Sequence, residues 1–111
     1  MKIKTMELTG AALDWAVARC ECGEAWCSED VDPHFYSTDW AQGGPIIERE
    51  WLQLTPWPNE SDEDVRWHCV QHDAPTQCHA FGPTPLIAAM RCYVASKLGD
   101  EVEIPDELKG A

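Results

Sequence analysis

A chain of 111 residues has room for one hydrophobic core, and its apolar content of 44% is ordinary for a folded domain and too high for a disordered one. Twenty acidic residues against eight basic ones give a formal charge of −12, which disfavours binding to duplex nucleic acid or to an anionic membrane surface. No apolar run approaches the roughly 18 residues that cross a bilayer, and the N-terminus lacks the apolar stretch of a signal peptide. We therefore expect a single domain over residues 1–111 that stays in the cytoplasm.

The first predicted element is a helix that begins after Thr9. The Thr9 hydroxyl can cap the free amides of a first turn, and apolar residues recur at helical spacing from Leu13 to Cys20. Gly23 is a typical helix end. The acidic, irregular stretch 22–33 is expected to form a loop.

The segment 36–50 combines helix-capping residues with a Gly-Gly-Pro sequence. Pro45 has no amide hydrogen and crowds the preceding turn, so it would break a helix that begins at Asp39. The sequence therefore favours a capped turn over 37–42, followed by a short helix over 45–50. One continuous, kinked helix is the alternative.

Three short strands are predicted in the middle of the chain, over residues 51–54, 65–70 and 76–81. An acidic loop at 59–64 and a turn at 72–75 separate them. Because these connections are short, we expect an antiparallel meander.

The clearest helix signal covers residues 84–98. Thr84 is a good N-cap, and Pro85 occupies the first helical position, where its missing amide costs nothing. The side opposite the apolar face carries small residues, namely Ala88, Cys92 and Ala95. Such a helix packs on both sides, which predicts a second helix or a second subunit against the small residues, and we expect a homo-oligomer through this face. The acidic residues 100–108 are expected to lie along the surface as a tail.

Three blocks of the sequence resemble the NinX-like family of phage proteins: residues 7–18, 36–50 and 82–108. The order of early helix, short strands and late helix is also similar to the phage ABA-sandwich family. The resemblance implies an α+β fold, a helix–sheet–helix sandwich with a small antiparallel three-stranded sheet. It also implies a phage accessory protein that acts in the cytoplasm of the infected bacterial host. Counter-defence is the role that this setting suggests, but the resemblance implies no activity.

Our leading functional hypothesis is a non-enzymatic protein that binds and sequesters a small anionic ligand of nucleotide type. The Gly-Gly-Pro and Gly-Pro-Thr-Pro segments precede predicted helices, and free amides at a helix start favour an anion. Aromatic rings could stack on a base, and two arginines could contact a phosphate. The predicted ligand-binding residues are Tyr36, Ser37, Thr38, Asp39, Trp40, Gly43, Gly44, Arg49, Gly82, Thr84 and Arg91. Ordinary capping, with an internal pair between Arg91 and a carboxylate such as Asp39, is the competing interpretation.

Metal binding and catalysis are the weaker hypotheses. Cysteines between Cys20 and Cys27, and cysteines and histidines between His68 and His79, lack the Cys-x-x-Cys spacing of structural zinc sites. The adjacent His68 and Cys69 point to opposite faces of a strand. The sequence contains no nucleophile elbow, metal-binding helix or phosphate loop. We therefore expect no catalytic residue, no metal and no cofactor.

The acidic surface supports an alternative function. A charge of −12 could mimic nucleic acid and occupy a DNA-binding host protein, and the six tryptophans offer large apolar contact areas. The alternative hypothesis is therefore a protein–protein inhibitor of a host defence or DNA-binding protein. Solubility alone is the simpler explanation of the charge.

Overall fold

The computed structural model describes residues 2–22, 35–57, 65–71 and 78–104. Its elements are β1 (Lys2–Lys4), a 3₁₀ helix (Thr5–Glu7), α1 (Gly10–Cys22), α2 (Trp40–Arg49), β2 (Leu52–Pro56), β3 (Trp67–Gln71), β4 (Cys78–Gly82), α3 (Pro85–Leu98) and β5 (Glu101–Glu103). Several predictions lie outside the described residues: nearly all of the loop at 22–33, the loop at 59–64, the turn at 72–75 and the end of the acidic tail.

The central sheet has the predicted antiparallel order β2-β3-β4. Each strand begins and ends within two residues of its predicted bounds. The α+β class with a three-stranded antiparallel sheet is therefore confirmed. The order of layers in the expected helix–sheet–helix sandwich stays a prediction.

A second, two-stranded sheet joins the two ends of the described chain. β1 and β5 pair antiparallel, with Lys2 opposite Glu103 and Lys4 opposite Glu101. Opposite charges on directly paired residues stabilise a sheet, and Val102 between them is buried. The prediction of a surface tail is therefore wrong for Glu101–Glu103, which form a strand.

The segment after Asp39 forms one helix, so the preferred prediction of a turn and a separate helix is wrong and the alternative of a continuous helix is correct; the kink stays a prediction. Pro45 is the sixth residue of α2. It removes the helical hydrogen bond to the carbonyl of Ala41, but Ala41 and Pro45 are both exposed, so that carbonyl can be hydrated. Gly43 and Gly44 precede the proline and place no side chains on the preceding turn.

The last helix, α3, lies at the centre of the fold. It contacts all three strands of the central sheet, and α1 and α2 also pack on it. Thr84 caps it as predicted, because its hydroxyl accepts a hydrogen bond from the Ile87 amide at 3.1 Å. Ala88 and Cys92 are fully buried within this single chain. They face the sheet, where Ala88 lies against Gly82. The chain's own strands thus cover Ala88 and Cys92, whereas Ala95 is half-buried, and a homo-oligomer through helix 84–98 stays a prediction.

No helix among the described residues combines the length and apolar character needed to span a membrane.

Candidate functional site

The turn before α2 was predicted to supply polar groups to a ligand, and its backbone is held by the protein itself. The amides of Thr38 and Asp39 both donate to the Phe35 carbonyl, at 3.1 and 2.7 Å. The Ser37 amide donates to the buried Asp14 carboxylate at 2.8 Å. The Asp14 interaction anchors the turn to α1 and explains why Ser37 is buried.

The N-terminus of α2 is capped by Asp39, as predicted. Its carboxylate accepts a hydrogen bond from the Ala41 amide at 2.9 Å, and its carbonyl accepts from the amides of Gln42 and Gly43. The prediction of free amides at the Gly-Gly-Pro segment is therefore wrong, because Gly43 lies inside the helix and its amide is bonded. The negative charge of Asp39 already occupies the position that an anionic ligand would take at this helix start.

Gly43 and Gly82 are required by close backbone packing rather than by an open cleft. A Cβ atom on Gly43 would collide with the Tyr36 carbonyl oxygen and with the Leu86 side chain. A Cβ atom on Gly82 would lie 2.7 Å from the amide nitrogen of Ala88. Both predicted glycine segments thus approach the first two turns of α3. The structure does bring them to a common part of the fold, where the surrounding atoms lie too close to either glycine to admit a Cβ.

Arg91 was predicted to meet a phosphate, and it is a buried residue with only 3% of its surface exposed. Its guanidinium donates to the Leu8 carbonyl at 2.9 Å and to the Phe81 carbonyl at 2.8 Å. It thereby links the segment before α1, strand β4 and helix α3. This geometry gives Arg91 a structural role.

Arg49, the second predicted phosphate contact, lies at the end of α2 and is paired with carboxylates. It donates two hydrogen bonds to Glu21, at 3.1 and 2.6 Å, and one to Glu50 at 3.0 Å. Tyr93 also donates to Glu21 at 2.6 Å. Burial raises the pKa of Glu21, but the hydrogen bonds from Arg49 and Tyr93 outweigh it and leave this pKa below its ordinary value. Glu21 is therefore ionised at neutral pH and offsets the charge of Arg49.

The predicted ligand-binding residues thus divide into groups with separate structural partners. Trp40 lies beside Gly44 on α2, and Thr84 caps α3. Arg49 and Arg91 donate hydrogen bonds to different residues, and these described bonds share no acceptor. Whether the predicted set binds a ligand stays a prediction, but its expected free cations and amides are occupied by protein groups.

Three large aromatic residues in or next to α2 are exposed to solvent. Phe35, Trp40 and Trp51 are 49%, 53% and 78% exposed. Residues 40, 44 and 48 follow helical spacing along one side of α2, and Trp51 follows directly after the Glu50 C-cap. We call Phe35, Trp40, Glu48 and Trp51 the tryptophan surface.

Trp51 is the described residue whose backbone conformation is most unusual for its type. Its φ is +56°, in the left-handed region, directly after the Glu50 C-cap of α2. Glycine commonly occupies this position, because a side chain there costs about 1–2 kcal/mol. The sequence pattern placed Trp51 in a strand and did not predict its left-handed backbone. The available signal was its position directly after Glu50, where α2 ends.

Among the described residues, no group of three or more histidines, cysteines and carboxylates is arranged to hold a metal ion. The zinc candidates Cys27 and His72 lie outside the described residues.

Comparison with known families places these features in context. The sequence model of the family described as Bacteriophage P22, NinX matches residues 4–97. The chain belongs to this phage family. The match runs from β1 to the last turn of α3 and includes the whole central sheet, so the resemblance seen in the sequence is confirmed. No curated protein matches this NinX-family chain significantly.

Proposed function

We propose that this NinX-family chain is a non-enzymatic phage accessory protein that binds a host protein through its tryptophan surface, in the cytoplasm of the infected bacterium. The observation that carries the proposal is Trp51, which combines a left-handed backbone with a side chain that is 78% exposed. A strained residue that makes little contact within its own fold is typical of a functional position.

The tryptophan surface has the composition of a protein-binding hot spot. Tryptophan is among the residues that contribute most to protein–protein affinity, because its large ring loses much water-exposed area on binding. Trp40 is the first residue of α2 and Trp51 follows the Glu50 C-cap, so the helix sets the distance between the two backbone positions. A fixed pair of anchors loses little conformational entropy when a partner binds.

The charge around the surface selects a basic partner. Asp39 and Glu48 lie on or next to α2, and the basic residues Arg49 and Lys97 are already paired with Glu21 and Glu50. The chain as a whole carries a formal net charge of −12. A partner rich in lysine and arginine, as in DNA-binding proteins, would be attracted to this surface and could place a cation over an indole ring.

Co-purification from infected cells tests the proposal. Tagged wild-type protein should retain one host protein at a stoichiometric level, and Trp51→Gly or Trp40→Ala should lose it. Trp57→Ala is the matched control, because Trp57 is also exposed but lies next to the central sheet. Added salt should weaken the wild-type complex. Equal recovery by wild type and Trp51→Gly would contradict the proposal.

Capture of a nucleotide-type anion, as a counter to host defence, is a second proposal, and one observation supports it. The Ser37 hydroxyl is buried and finds no hydrogen-bond partner among the described residues. A ligand would have to displace the groups that cover this hydroxyl before it could form a hydrogen bond with it.

Calorimetry with nucleotides and cyclic nucleotides separates this second proposal from the first. Binding that is lost in Ser37→Ala and kept in Trp51→Gly would support ligand capture near Tyr36. Titrations that are flat for the wild type would dismiss it, whatever the outcome with the host protein.

A further inference from the structure

A second cluster of aromatic side chains lies on the face of the central sheet that is turned away from α3. Cys69 and Ala80 are paired in the sheet and fully buried on the side of α3. Because side chains alternate along a strand, His68 and Phe81 point to the other face. We call this side the outer sheet face.

Three rings on the outer sheet face pack against one another. The ring centroids of Trp57 and His68 are 5.3 Å apart, those of Trp57 and Phe81 5.2 Å, and those of His68 and Phe81 4.8 Å. The three residues come from the β2 end, β3 and β4, so the sheet fixes their relative positions. Trp57 nevertheless remains 39% exposed. The result is a rigid aromatic platform whose outermost ring is accessible.

Two histidines lie side by side in this cluster. Nε2 of His68 and Nδ1 of His79 are 3.0 Å apart, and the ring planes differ by only 17°. The ring centroids are 5.2 Å apart, farther than the two nitrogens, so each ring extends away from the shared nitrogen contact. The rings therefore meet edge to edge, and one nitrogen donates a proton to the other.

The outer sheet face differs in charge from the rest of this acidic protein. Its described positions are Gln53, Thr55, Trp57, Arg66, His68, Val70, His79 and Phe81. None of these is acidic, whereas the chain has twenty acidic residues. Arg66 is exposed and lies opposite Trp57, whose amide donates to the Arg66 carbonyl at 2.7 Å. An aromatic platform flanked by imidazoles and an arginine can stack a ring and hydrogen-bond its polar edge.

We propose that the outer sheet face binds a nucleobase, which stacks on Trp57 and contacts the histidine pair with its polar edge. This inference goes beyond the binding of a host protein, since it concerns a different surface. A base could come from a free nucleotide or from single-stranded nucleic acid. The net charge opposes a long polyanion, so the free nucleotide is the favoured source.

Nuclear magnetic resonance of the full chain tests the proposal through the indole signal of Trp57, assigned by its loss in Trp57→Phe. Adenosine, adenosine monophosphate and a short single-stranded oligonucleotide should each shift this signal, and ribose 5-phosphate should not. The variants lack the indole, so their binding is followed through the backbone amide signals of His68 and Phe81; Trp57→Ala should weaken it at least about fivefold, whereas Trp57→Phe, which keeps a ring, should retain most of it. Tighter binding of the mononucleotide than of the oligonucleotide identifies the free nucleotide as the source, and the reverse identifies the single strand.

The controls separate this site from the others. Trp51→Gly and Ser37→Ala should leave the base titration unchanged, and Trp57→Ala should leave capture of the host protein unchanged. If Trp57→Ala fails to fold, Trp57→Leu replaces it, because leucine keeps apolar contacts without a stacking ring. The proposal is overturned if no base shifts the Trp57 signal, if ribose 5-phosphate shifts it equally, or if the variant without a ring binds as tightly as the wild type.

Discussion

Trp51 combines a backbone conformation that is costly for its side chain with the role in binding that we propose for it. Its left-handed backbone favours glycine, and its indole makes little contact with the protein. Stability and function therefore make opposite demands on this position. Such an opposition is expected where a side chain is kept for a partner.

We predict that Trp51→Gly leaves the free energy of unfolding unchanged or raises it by about 1 kcal/mol. Glycine relieves the strained φ, and the lost indole was 78% exposed. Urea unfolding measures the effect. Trp67→Ala is the control and should destabilise the protein, because Trp67 is half-buried on the α3 side of the sheet. A loss of more than about 1 kcal/mol in Trp51→Gly would mean that the indole stabilises the fold.

The two arginines of the predicted ligand site should respond differently to truncation. Arg91→Ala leaves the carbonyls of Leu8 and Phe81 without their donor in the interior and should cost about 3 kcal/mol. Arg49→Ala removes a pair whose arginine side chain is 50% exposed and should cost about 1 kcal/mol or less. Thermal or urea unfolding compares them. Similar small losses in both variants would show that Arg91 is not needed to hold the fold together.

At the scale of elements, local signals predicted some boundaries well. The start of α3 follows from Thr84 and Pro85, which act through their own backbone and hydroxyl groups and need no distant partner. β1 and β5 were missed because each is only three residues long, with one apolar residue between two charged ones. Their pairing depends on a partner about one hundred residues away, which periodicity within a segment cannot reveal.

α2 shows where a sound local rule fails. Pro45 predicts a break, but the solvent-facing side of the helix tolerates the lost hydrogen bond, and the Asp39 cap favours a start before the proline. The two adjacent glycines also have different roles that the sequence does not distinguish. Gly43 contacts Tyr36 and Leu86, whereas the nearest atom to a Cβ on Gly44 is 3.9 Å away, on Trp40.

We therefore predict opposite effects of alanine at these two positions. Gly43→Ala should lower the free energy of unfolding by about 1–3 kcal/mol, because its Cβ collides with a carbonyl and with Leu86. Gly44→Ala should raise it by up to about 1 kcal/mol, because alanine favours a helix and the site has space. Chemical denaturation of both variants provides the test. A stable Gly43→Ala variant would contradict the close packing of α2 on α3.

The outer sheet face should make stability depend on pH. Burial, followed by the neighbouring His79, lowers the pKa of His68 below its ordinary value of 6.5. The unfolded chain therefore takes up this proton first, so stability from His68 is complete above pH 6.5 and falls as the pH drops from 6.5 towards the lowered pKa. Unfolding measured above and below pH 6.5 should show a smaller decline in His68→Gln than in the wild type. Equal declines would show that His68 makes no contribution.

At the scale of the whole molecule, family and fold class were accessible from the sequence, and the position of the proposed binding surface was not. The matched blocks and the helix and strand signals are local, whereas the ligand site was inferred from charges and amides whose partners are distant in sequence. Asp39, Glu21 and the Leu8 carbonyl occupy those groups in the folded chain. Composition predicted tryptophan-rich and acidic surfaces, but only the fold shows which tryptophans remain exposed.

Site-specific photo-crosslinking in infected cells tests the proposed host-protein contact most directly. A photoreactive residue at position 48 lies between Trp40 and Trp51, and one at position 79 lies on the outer sheet face as the control. The tryptophan surface predicts one basic host protein crosslinked from position 48, none from position 79, and loss of the product in Trp51→Gly. Crosslinking from position 79 alone, or an unchanged product in Trp51→Gly, would contradict it.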